Sequence, residues 1–175
     1  MKMFKQILIF IAGVIIGAGV IIINPDLKSF SSSTTKQSFT DGVVTATLDQ
    51  RLGTLTFSGH GAVEWTLLEE LPREQRVFVR TIVFEDGITS VGSYAFYDVR
   101  GLINLEKVVF KGDINKIGSF AFEDNPNLTT VEFGGKCKVI DFGAFKGCVS
   151  LGPDDPTPDG CKVDYAAYRD TWIIR

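Results

Sequence analysis

The sequence predicts an α/β solenoid, a short array of stacked strand-turn units with terminal caps, preceded by one N-terminal transmembrane helix. Three observations lead there: an uncharged run of 17 residues near the start, an apolar-x-apolar triplet that recurs at offsets of 26 and 23 residues, and an Ala-Phe pair that recurs at the same two offsets.

The uncharged run is Ile7 to Ile23, with Lys2 and Lys5 before it and Asn24-Pro25-Asp26 after it. A helix of that length rises about 26 Å, a little less than the ~30 Å hydrocarbon core and workable with local thinning. Lys2 and Lys5 would stay in the cytoplasm by the positive-inside rule, which places everything after Asn24 outside. A cleavable signal needs a small-x-small site near the polar end of its apolar region, and Ile21-Ile22-Ile23 stands there instead. The expectation is therefore a membrane anchor through residues 7–23 with the C-terminal domain outside the cytoplasm, secretion after cleavage being the alternative. Residues 1–26 form this segment, 27–40 a Ser/Thr-rich linker too poor in aliphatics to offset its ordering entropy, and 41–175 the folded domain.

Composition narrows the function. The chain has 175 residues, 45% of them hydrophobic, enough for one domain plus an appendage. Its formal charge of −3 gives no basic balance for nucleic acid. With His60 the single histidine, a multi-histidine metal site is ruled out and no cofactor is expected.

The repeat is read by aligning three segments. Val91-Gly-Ser-Tyr-Ala95-Phe96 recurs as Ile117-Gly-Ser-Phe-Ala121-Phe122 and as Ile140-Asp-Phe-Gly-Ala144-Phe145. The same offsets carry Ile82-Val-Phe84 onto Val108-Val-Phe110 and Val131-Glu-Phe133, and Ile88 onto Ile114 and Cys137. Each triplet has the period-two pattern of a short strand with one buried face. The Ile-x-x-Ile-Gly-x-x-Ala-Phe half spaces its apolar residues by three and four, which predicts one helical or 3₁₀-like turn. A unit this small cannot cover its own apolar side, so it must stack on its neighbours. The structural core of the stack is then Ala95, Phe96, Ala121, Phe122, Ala144 and Phe145, the small residue letting turns approach while the ring fills the space between them.

These residues carry a resemblance. Asn125-x-x-Leu128-x-x-Val131-x-Phe133 followed by Ile140-x-x-x-Ala144-Phe145-x-x-Cys148 resembles the BspA-like leucine-rich repeat family. The likeness extends to Gly53–Gly61 at the start and to Cys161-Lys-Val163 with Tyr165–Trp172 at the end, covering about residues 45–172. It departs from the family in having only three clear repeat cores and in the acidic, proline-broken insert Gly152–Gly160. The resemblance implies a short leucine-rich-repeat array and adhesion to an extracellular protein.

The ends need caps, because a solenoid exposes an apolar face at each terminus. Val43 to Gly59 predicts two strands around Asp49–Gly53 as the first cap. Asp164 could N-cap a closing helix whose Tyr165, Tyr168 and Trp172 share one face.

The remaining chemistry is sparse. Cys137 fills an apolar repeat position, Cys148 stands where Asn125 stands one unit earlier, and Cys161 could pair with Cys148 in an oxidising compartment. Asp154, Asp155 and Asp159 read as a solvated acidic loop, since prolines break any EF-hand spacing. Asn127-Leu-Thr129 is a glycosylation sequon, meaningful in a eukaryotic secretory route. No catalytic constellation emerges.

Alternation supplies the binding expectation. If Ile82 and Phe84 point inward, then Thr81, Val83 and Glu85 point outward, and so do Lys107, Val109 and Lys111 and then Thr130 and Glu132. The strands would present a mixed-charge face with Val83 beside Val109 at its centre, suited to an extracellular protein or glycan. A non-catalytic binding module is the reading that follows. A structural envelope module is the second, and a hydrolase a distant third.

Overall fold

The computed structural model describes residues 36–97, 101–152, 157–158, 160–164 and 167. The apolar run 7–23, linker residues 27–35, the aromatic positions of the closing segment and the acidic insert residues 153–156 and 159 lie outside the described residues. No helix among those described is long and apolar enough to cross a membrane.

The described residues open with β1 (Lys36–Thr40) antiparallel to β2 (Val44–Asp49) and β2 antiparallel to β3 (Thr54–Gly59). The last five residues of the expected linker are therefore an edge strand. Its Ser and Thr side chains need no burial there, because β2 supplies the backbone partners. Asp41 makes the turn: its Oδ1 accepts the N–H groups of Val43 and Val44 at 2.8 and 2.7 Å. A bridging strand β4 (Gly61–Val63) leads to two short helices, α1 (Trp65–Glu69) and α2 (Arg73–Arg76). Their buried Leu67 and Leu68, with Leu71 between the helices, roof the first unit. Arg76, itself buried, donates from Nε to the carbonyl of Leu71 at 2.8 Å.

Each unit then contributes two strands. The triplets form β5 (Thr81–Phe84), β7 (Lys107–Phe110) and β9 (Thr130–Phe133). They run parallel to one another and to β3, giving the order β1-β2-β3-β5-β7-β9. Register follows the offsets: Ile82 pairs with Val108 and Val108 with Val131.

The second half of the unit corrects the expected helical turn. Ile88–Val91 is a strand, β6, continued in the stack by β8 (Lys116–Ile117), β10 (Val139–Ile140) and β11 (Lys162–Val163), all parallel in the order β11-β10-β8-β6-β4. Burial in β6 runs buried, intermediate, intermediate, buried, so the three-residue spacing comes from an irregular strand. The turn is confined to the residues after it, where Ala121 and Ala144 donate to the carbonyls of Gly118 and Asp141, each at 3.2 Å. The fold is thus a β-solenoid with few helices.

Ala-Phe pairs form the predicted column. The Phe96 N–H donates to the Ala121 carbonyl and that of Phe122 to Ala144, both at 2.7 Å. Phe96, Phe122 and Phe145 stack at centroid distances of 5.1 and 5.2 Å. A second column runs through the strands, Phe57–Phe84–Phe110–Phe133, at 5.3, 4.8 and 5.1 Å. Phe84 meets Phe96 edge-on at 5.7 Å, so the two columns interlock.

A fourth unit begins after the insert; Tyr165, Tyr168 and Trp172 of the expected closing helix lie outside the described residues. Val163-Asp164-Tyr-Ala-Ala167 repeats Ile140-Asp141-Phe-Gly-Ala144 at an offset of 23. Val163 pairs with Ile140, the Phe145 N–H donates to the Ala167 carbonyl at 2.8 Å, and Ala167 is fully buried. Ala167 also donates to the Asp164 carbonyl at 2.8 Å, the same three-residue turn as in the units before it.

Candidate functional site

The parallel ladder sets the outward side chains in rows. One row runs Thr54, Thr81, Lys107, Thr130; the next runs Thr56, Val83, Val109, Glu132. Glu85 and Lys111, one step further along, are joined by an ion pair at 2.9 Å. Lys107 reaches Glu132 at 2.6 Å. At the strand entrance Arg80 pairs with Glu106. The structure therefore brings Thr81, Val83, Glu85, Lys107, Val109, Lys111, Thr130 and Glu132 onto one face, all intermediate or exposed. Its charges are largely neutralised between neighbouring strands, and the uncharged Val83 and Val109 lie adjacent in register.

The face expected from the sequence starts at β5 and leaves out β1, β2 and β3. Thr45, Thr47 and Asp49 on β2, facing Ser58, Thr56 and Thr54 on β3, continue the rows outward from β5, and Ser38 meets Thr47 through their hydroxyls at 2.9 Å. The clue was present in Val44-x-Ala46-x-Leu48, whose buried positions alternate with these hydroxyl residues. The full face is hydroxyl-rich over β1–β3 and mixed aliphatic and charged over β5–β9.

A second feature lies on the opposite edge of the units. An open cleft of about 540 Å³ is lined by Glu64, Trp65, Ser90, Tyr94 and Lys116 among others. Tyr94 stacks on Phe120 at 5.1 Å, and Phe120 meets Phe142 at 5.3 Å. Tyr94, Phe120 and Gly143 are equivalent in the repeat and share a left-handed backbone, φ 57, 57 and 64°. Two aromatic residues thus hold a conformation that favours glycine.

The remaining candidates are structural. The Asn127 side chain donates to the Ile103 carbonyl at 2.8 Å, as Asn104 one unit earlier donates to Val77 at 2.8 Å. The sequon asparagine is therefore a rung between units. Cys148 donates its thiol to the Phe122 carbonyl at 3.0 Å. Cys137, Cys148 and Cys161 form no disulfide in the structure; Cys161 acts on Cys137, whose thiol it raises, and the Cys137 Sγ donates to the Val139 carbonyl at 3.7 Å. No group of His, Cys, Asp and Glu able to hold a metal ion occurs among the described residues.

Parallel ladders in both sheets, phenylalanine columns and polar rungs between successive units make a β-solenoid consistent with leucine-rich repeats. The family model described as BspA type leucine rich repeat region (6 copies) matches residues 75–153, and this stretch is a BspA-type leucine-rich repeat region. A leucine-rich repeat protein from Eubacterium ventriosum has a similar fold, with a TM-score of 0.52 at 20% identity over 73% of this chain and 39% of that one. A leucine rich cell surface protein from Faecalibacterium prausnitzii aligns at 19% identity over 76% of this chain and 46% of that one, with a TM-score of 0.40. The chain spans less than half the length of either structure. No curated protein matches it.

Proposed function

We propose that this protein is a membrane-tethered, non-catalytic binding module whose first sheet receives an extracellular protein or glycan. The observation that carries the reading is the outward face itself: adjacent Val83 and Val109, with neighbouring ion pairs Glu85–Lys111 and Lys107–Glu132 that leave little net charge to repel a partner. An apolar centre with a polar rim is the usual composition of a recognition patch. The uncharged run 7–23 after Lys2 and Lys5 supports anchoring with the solenoid outside the cytoplasm.

The test compares the full chain with a Val83→Glu, Val109→Glu double variant on arrays of immobilised extracellular proteins and glycans. Both side chains point outward, so the variant should melt within a few degrees of the parent and lose its binding to whichever array members the parent captures. Equal binding by the two proteins excludes this face. Protease protection of the solenoid in intact cells would contradict the proposed orientation.

A further inference from the structure

We propose that Cys137 and Cys161 form an intramolecular disulfide that clasps the last coil of the solenoid to the unit before it. Cys137 occupies the apolar position of Ile88 and Ile114, is buried, and bridges to Ile114 in the second sheet. Cys161 precedes β11 and is only partly buried, packed against the same core. Parallel pairing of Val139 with Lys162 and of Ile140 with Val163 puts Cys161 opposite Lys138, beside Cys137. Cys161 is close enough to raise the Cys137 thiol, and the register of β10 with β11 sets the two cysteines ahead of adjacent strands, as neighbours along one edge of the core. Cys148 is turned away from this pair, its Sγ bound to the Phe122 carbonyl.

The position is one where a clasp matters. β11 holds β10 through two paired residues, and the chain between the two cysteines contains the insert Gly152–Gly160. Closing that loop restricts the unfolded chain and ties down the terminal coil. The chemistry is thiol–disulfide exchange with a small-molecule disulfide such as oxidised glutathione. The partly exposed Cys161 attacks first, forming a mixed disulfide and releasing one glutathione thiol. Cys137 then displaces the second, so two protein thiols are oxidised, one glutathione disulfide is reduced, and the two thiol protons end on the released glutathiones. The Cys137 thiol is pushed up to about 12, first by burial and then by the neighbouring Cys161. The second step therefore accelerates as the pH is raised.

The full chain, purified reduced, is equilibrated with oxidised glutathione, alkylated under denaturing conditions and mapped by non-reducing peptide mass spectrometry. The expected result is one linked peptide pair joining Cys137 to Cys161, with Cys148 alone alkylated. The melting temperature should rise by about 5–10 °C on oxidation, and the rise should disappear in Cys161→Ser. Three alkylated cysteines after full equilibration, a bond that includes Cys148, or an unchanged melting temperature on bond formation would each overturn the proposal.

Discussion

Asn125 Nδ2 donates to the carbonyl of Phe96 at 2.8 Å, reaching back one unit in the column. Cys148 makes the corresponding contact one unit later, its thiol on Phe122. Two different side chains thus do one job, satisfying a carbonyl exposed by the Ala-Phe turn. Asn125 also donates to Phe122 at 2.9 Å, while its own Oδ1 is buried without a donor among the described residues.

Asn125→Ala should therefore cost about 1–3 kcal/mol, because it strands a buried carbonyl. Asn125→Cys, which places at this rung the group its equivalent uses, should cost less. Urea titrations of the three proteins check the order, and a Cys variant as unstable as the Ala variant would contradict the equivalence.

Phe122 lies between Phe96 and Phe145 and has no solvent exposure. Phe122→Ala should lower stability by about 3–5 kcal/mol through lost burial and an unfilled cavity. Phe133→Ala, at the partly buried end of the other column, should cost less. Chemical denaturation that ranks them the other way would sink the interlocked-column account.

Gly143→Ala tests the left-handed turn. A Cβ there would lie 2.6 Å from two carbons of the Phe120 ring at a φ of 64°, so a loss of about 1–3 kcal/mol is expected. Gly152, with open space around it, is the control: alanine there should change stability by no more than about 0.5 kcal/mol. Calorimetry of both variants reads the difference.

Asp41 gives a pH prediction. The Val44 N–H, then that of Val43, holds its carboxyl below the ordinary carboxylate range. A folded pKa below the unfolded one means the contribution is present above the unfolded value and lost as pH falls through the folded value. The β1–β2 hairpin should loosen at acid pH, read as a fall in the amide protection factors of Val43 and Val44 after correction for the intrinsic exchange rate. Asp41→Asn should remove that pH dependence.

The offsets of 26 and 23 were enough to read the strand registers and the Ala-Phe column, since stacking forces equivalent residues into contact. The Ile88–Val91 strand escaped because a three-residue apolar interval fits either a helical turn or an irregular strand; the ladder to β8 decides it. The fourth unit was hidden by Tyr in place of Phe and by the proline-rich insert before it. On the outward face, alternation placed eight residues that the ladder sets side by side. It missed Thr45, Thr47, Thr54, Thr56 and Ser58, because the parallel pairing of the cap strand β3 with β5 depends on which strands become neighbours, and that is a tertiary fact.

The stacked rings, the strand ladders and the Asn125 and Cys148 rungs each join a unit to its immediate neighbour. A gene segment encoding one coil could then be duplicated in tandem with disturbance only at the splice. Such a lineage could lengthen its outward sheet one row at a time while older rows kept their geometry.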